Sequence, residues 1–103
     1  MARSDQFAAL VAQQPENELF RFSLAQALRA EDRVDEAVPH WEICTAKRQD
    51  WMMPRILLGK ALLQLGRAAE AKPMLESALQ LAVAQDHQEP ATELRGLLDS
   101  MAR

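Results

Sequence analysis

Apolar residues return every three to four positions through most of the chain, and polar residues collect between those runs. Leu24, Ala27 and Leu28, extended by Phe20, form one helical stripe. After the polar stretch Glu31-Asp32-Arg33 a second follows: Val34, Ala37, Trp41 and Cys44. Leu58, Ala61, Leu62 and Leu65 make a third, and Ala71, Leu75, Ala78 and Leu79 a fourth. At the flanks, Ser4 is of the right type to cap a helix reaching Gln14, which Pro15 stops. Leu94, Leu97, Leu98 and Met101 form a last stripe after the polar loop Gln85–Glu89. Gly66 is placed to end its helix in the left-handed conformation, and Asp50 to cap the helix in which Pro54 is an early residue. Pro39 and Pro73 fall within about a turn of helices starting near Val34 and Ala68, where few amide hydrogens have intrahelical partners.

These stripes repeat. Laying 18–51 over 52–85, a shift of 34, aligns nine identical pairs: Arg21/Arg55, Leu24/Leu58, Ala27/Ala61, Leu28/Leu62, Arg33/Arg67, Glu36/Glu70, Ala37/Ala71, Pro39/Pro73 and Glu42/Glu76. Chance would supply about two or three. Ala25/Gly59, Trp41/Leu75 and Cys44/Ala78 are conservative matches. Each repeat is a pair of helices. Residues 4–15 read as the second half of a preceding unit and 90–102 as the first half of a following one, both serving as caps on a two-unit stack.

A 34-residue helix–turn–helix unit with Leu58-Gly59, Leu62, Ala71, Leu75 and Ala78 resembles the tetratricopeptide repeat. The first unit offers Leu24-Ala25, Leu28, Ala37, Trp41 and Cys44 at the same places. Arg21 and Arg55 stand where an aromatic is usual, and Gln49 and Val83 where the closing proline is. The resemblance implies an all-α, right-handed superhelical solenoid of about five or six helices, one domain over 1–103. Small residues at 25, 37, 59, 71 and 78 fall where helices approach closely, with Phe7, Trp41 and Leu75 filling wider gaps.

Composition agrees and narrows the chemistry. Of 103 residues 49% are apolar and 26% charged, with three Gly and no Tyr. That suits a helical globular domain. A formal net charge of −3 works against a nucleic-acid binder. Lys47, Arg48 and Arg55 are a small basic group, and Trp51 beside them reads as an apolar anchor between repeats rather than a base-stacking platform. Cys44 stands alone, so it is expected as a buried packing residue in a reducing compartment. The apolar stretch from Phe7 to Ala12 is too short for a secretory signal, and no run could span a bilayer; a cytoplasmic protein is the expectation. Glu36 and His40, four apart, have metal-ligand spacing but no third ligand. The acidic group Glu31, Asp32, Asp35 and Glu36 lacks the glycine of a calcium loop and suits a helix N-terminus instead. No catalytic constellation, metal site or cofactor is expected.

A second stripe remains on the first helix of each repeat: Leu19, Phe22, Ser23, Gln26 and Arg29, then Met53, Ile56, Leu57, Lys60, Leu63 and Gln64. The family resemblance places such residues along a concave groove that holds partner peptides. Phe22, Met53 and Ile56 are expected at the surface, whereas Leu57 and Leu63 serve either the groove or the packing. The basic and Asn residues with which the family's familiar clamp reads a terminal carboxylate are mostly missing. The expected function is therefore an adaptor or scaffold. It would bind a protein or peptide through Leu19, Phe22, Gln26, Arg29, Met53, Ile56, Lys60 and Leu63, without nucleic acid or membrane. The alternative is a homo-oligomer, such as a homodimer, that uses the same strip as its subunit interface.

Overall fold

A computed structural model describes residues 2–103. Six helices follow in order: α1 (Arg3–Gln13), α2 (Glu18–Ala30), α3 (Val34–Lys47), α4 (Met52–Gln64), α5 (Ala68–Ala84) and α6 (Gln88–Met101). There is no strand among the described residues. The chain divides into two compact units, Met1–Gln49 and Asp50–Arg103. In the first, α2 packs on α1 and α3; in the second, α5 packs on α4 and α6.

The stripes read from the sequence form the cores. In the first unit Leu24, Ala25, Leu28, Ala37, Trp41 and Cys44 are buried, and in the second Leu58, Ala61, Leu62, Ala71, Leu75 and Ala78. α3 and α5 start at Val34 and Ala68, as expected. Pro39 and Pro73 are each the sixth residue of their helix, one turn further in than the first. Because proline has no amide hydrogen, the carbonyls of Asp35 and Ala69 lack the intrahelical donor four residues on. Both helices nevertheless run on past the ring. Gly59 lies against the buried side chain of Leu75, where even a methyl group has no room.

Helix ends account for most of the differences from the sequence reading. Ser4 does not cap α1: it is the second helical residue and is buried, and the cap position is Ala2. The role passes to Glu31 at the end of α2, whose carboxylate accepts from the Ser4 amide at 3.0 Å and from its hydroxyl at 2.6 Å. A negative charge at a helix N-terminus is favourable, and these hydrogen bonds hold the Glu31 carboxyl below its ordinary range. Asp50 does not cap α4 either; Trp51 is the cap residue, and the Asp50 carbonyl instead accepts from Gln85 Nε2 at 2.8 Å. The side-chain cap that does form belongs to Asn17, whose Oδ1 accepts from the amides of Leu19 and Phe20. α5 and α6 leave a shorter connection than the expected loop 85–89, since α6 already starts at Gln88.

Three helices end in the same way. The amide of the residue after a left-handed one reaches back five positions, and the left-handed residue's own amide bonds three positions back. The pairs are Arg33→Leu28 with Asp32→Arg29, Arg67→Leu62 with Gly66→Leu63, and His87→Ala82 with Asp86→Val83. The left-handed residues are Asp32 (φ 59°), Gly66 (φ 76°) and Asp86 (φ 59°). Gly66 behaves as the sequence predicts. Asp32 occupies the same repeat register with a Cβ, at a steric cost that glycine avoids. Asp32→Gly is therefore expected to raise stability by up to about 1 kcal/mol, and Gly66→Ala to lower it by about 1 kcal/mol. Urea titration of both variants measures this; equal signs would contradict it.

The next turn explains two more repeat identities. Arg33 binds Glu36 through two parallel hydrogen bonds of 2.7 and 2.8 Å, and Arg67 binds Glu70 with the same two distances. Each glutamate is the third residue of its helix, where the macrodipole also favours it. Of the acidic group, Asp35 and Glu36 thus lie in the first turn of α3, as expected, whereas Glu31 serves the N-terminus of α1.

Candidate functional site

The residues of the second stripe sit on α2 and α4, one set in each unit. On α2, Leu19 is 56% exposed and Gln26 and Arg29 are exposed, but Phe22, expected at the surface, is half-buried. Beside them α1 and α2 enclose a recess of about 230 Å3 lined by Arg3, Phe7, Ser23, Gln26, Ala27 and Ala30. Its lining mixes apolar Phe7, Ala27 and Ala30 with polar Arg3, Ser23 and Gln26, and the Arg3 guanidinium lies 5.7 Å from the centre of the Phe7 ring, a favourable cation–aromatic contact. The i,i+4 spacing of Arg3 and Phe7 puts them on one face of α1, a signal the sequence carried but the reading of apolar stripes passed over.

On α4 the expectation holds only in part. Met53 is 41% exposed and Lys60 is exposed, but Ile56, expected at the surface, is buried with 7% of its area accessible. Leu57 is buried as well, and Leu63 is half-buried. The cause is the composition of α4. Met52, Pro54, Ile56, Leu57, Leu58, Gly59, Ala61 and Leu62 are all buried, so apolar residues surround the helix and periodicity cannot choose its outer side. Lys60 is not a loose rim cation, because its ammonium pairs with Glu93 of α6.

The remaining candidates for chemistry are occupied in packing. Cys44 is buried, its Sγ 3.6 Å from the Glu18 carbonyl oxygen, and burial pushes its thiol up to about 11. A thiol so protonated is a poor nucleophile at neutral pH. Glu36 is held by Arg33, while His40 faces Arg21 on α2 at 3.2 Å. Arg21 and Arg55, where an aromatic was anticipated, cross to the partner helix instead: Arg21 to His40 and Arg55 to Ser77 Oγ at 3.0 Å. Among the described residues, no three His, Cys, Asp or Glu side chains are grouped to hold a metal ion. No described helix is long and apolar enough to cross a membrane.

Helical hairpins in a 34-residue register, with small residues at the close contacts, define a helical-repeat protein. Residues 19–42 and 52–77 match the model of the tetratricopeptide repeat, and the chain belongs to that family. None of the curated proteins compared with it matches in sequence. Solved structures do. The type III secretion translocator chaperone SycD of Yersinia enterocolitica superposes with a TM-score of 0.89 at 21% identity, over 96% of this chain and 69% of that one. PcrH from Pseudomonas aeruginosa gives 0.85 at 19% identity, over 97% and 76%. Protein BPP2914 from Bordetella parapertussis gives 0.81 at 29% identity, over 100% and 90%. The all-α superhelical class expected from the sequence is the class of these structures.

Proposed function

We propose that the chain is a protein-binding adaptor that holds a segment of a partner on the surface presented by the first helix of its repeats. The observation that carries this reading is the exposure of Leu19 and Met53, which are large and apolar and occupy the same repeat register on α2 and α4. A core-building pattern would bury that position; it stays open in both units. The recess beside α2, lined by both apolar and polar side chains, has the size of a side-chain pocket. A similar fold was solved as PcrH in complex with the chaperone binding region of PopD, at 19% identity and a TM-score of 0.87, which supports a protein segment as the kind of ligand.

The test uses exposed positions, since Ile56→Glu would put a charge into the core and destroy the fold. Leu19→Glu and Met53→Glu should leave the melting temperature and helical content unchanged while weakening a captured partner at least about tenfold, the loss of a moderate contact residue. Unchanged affinity in both variants refutes the proposal. Sedimentation over a range of concentrations addresses the strip as a subunit interface: a dimer that Leu19→Glu dissociates would replace the adaptor reading.

A further inference from the structure

Arg21 on α2 and His40 on α3 meet through Nη1 and Nδ1 at 3.2 Å. A guanidinium has only hydrogens to offer, so the imidazole nitrogen facing it must carry the lone pair. His40 is therefore neutral in this contact, with its proton on Nε2. We infer that the Arg21–His40 contact is a proton-operated latch on the α2–α3 hairpin, closed while the ring is neutral and opened when Nδ1 takes up a proton. On protonation the acceptor becomes a donor, the hydrogen bond is lost, and an imidazolium faces a guanidinium.

The surroundings leave little to relieve that clash. Arg21 Nη2 is engaged by the Pro15 carbonyl at 3.1 Å, while its Nε is buried without a partner. A guanidinium already short of one acceptor would lose another. On α3, Glu36 lies one turn before His40, but both of its oxygens bind Arg33. In the turn before α2, Glu16 is held by Lys47 Nζ at 2.7 Å. From α1, Asp5 lines with Ser4, Leu24, Leu28, Arg33, Glu36 and His40 a recess of about 200 Å3, and it is the one acid of that recess outside the Arg33 pair. The ring is half-buried, so protons reach it.

Burial first, and the charge of Arg21 second, hold the titration of His40 below its ordinary 6.5. As pH falls, the unfolded ring is protonated before the folded one. The latch therefore contributes fully above about 6.5 and progressively less as pH drops toward the folded ring's own midpoint.

Nitrogen NMR of the whole chain should show His40 with Nδ1 unprotonated at pH 7.5 and a midpoint below 6.5 that rises in Arg21→Gln. Amide exchange in α2 and α3, corrected for its intrinsic pH dependence, should accelerate several-fold between about pH 7.5 and 5.5. It should not do so in His40→Gln, whose amide oxygen accepts from Arg21 without titrating. A proton on Nδ1 at pH 7.5, or a midpoint at or above 6.5, would overturn the latch; so would equal acceleration in wild type and His40→Gln. Should His40→Gln not fold, the wild-type titration alone decides.

Discussion

Trp41→Ala is expected to destabilise the protein by about 3–5 kcal/mol, the range for removing a fully buried large aromatic side chain. Trp41 is the largest fully buried side chain, at the centre of α3 within the core of the first unit. Alanine deletes the whole indole, and the α2–α3 hairpin cannot collapse onto the space. Its close positions are already filled by Ala25, Ala37 and Cys44, whose short side chains have no reach. Against a typical total of about 5–15 kcal/mol, this is a large fraction, and the melting temperature should fall by at least about 12 °C. Trp41→Phe separates volume from polarity. The indole Nε1–H is buried without a hydrogen-bond partner, which costs about 1–3 kcal/mol in a buried setting. Phenylalanine removes that orphan donor while keeping one aromatic ring, so it should lose much less than alanine does. Thermal melts followed by circular dichroism measure both, and a loss below about 1 kcal/mol for Trp41→Ala would contradict the packing argument.

The contrast between what could and could not be read from the chain has a single physical origin. Positions set by their own sequence neighbourhood were legible: the 34-residue register, the starts of α3 and α5, and the left-handed Gly66. Asn17 carried a readable signal too, since a cap-forming residue stands directly before α2. Positions set by a distant partner were not. Ser4 has the chemistry of a cap, yet its hydroxyl is claimed by Glu31, 27 residues away. Arg21 and Arg55 look like failed aromatics until His40 and Ser77 are seen across the hairpin. The candidate surface fell between these cases. On α2 the polar Ser23, Gln26 and Arg29 mark the outer side; Leu19 and Gln26 are exposed there, while Phe22, expected at the surface, is half-buried. On α4 the apolar residues close the circle, and Ile56 went inward. Asp32 was readable by comparing the repeats, because its counterpart is Gly66.

Gly59→Ala tests the closest approach within a hairpin, and its expected sign depends on a neighbour. In an isolated helix, alanine is better than glycine by about 1 kcal/mol. Here the new Cβ would lie 2.4 Å from Leu75 Cδ2 and 2.6 Å from its Cγ, well inside contact distance. Leu75 is fully buried, so it has no solvent-facing rotamer to turn into; overpacking of this kind costs about 1–3 kcal/mol. The clash therefore outweighs the propensity gain, and Gly59→Ala should destabilise by about 1–2 kcal/mol, with Gly59→Leu far worse. Leu75→Ala alone should cost about 2–5 kcal/mol through the cavity it leaves. In that background Gly59→Ala loses its obstacle and keeps its propensity benefit, so the same substitution becomes stabilising. A double-mutant cycle by urea unfolding measures the coupling. Additive effects would mean that α4 and α5 can slide apart to admit a methyl group. The first unit shows what accommodation requires: at the same register it has Ala25 opposite Trp41, a pair whose sizes differ from Gly59 and Leu75 at both positions.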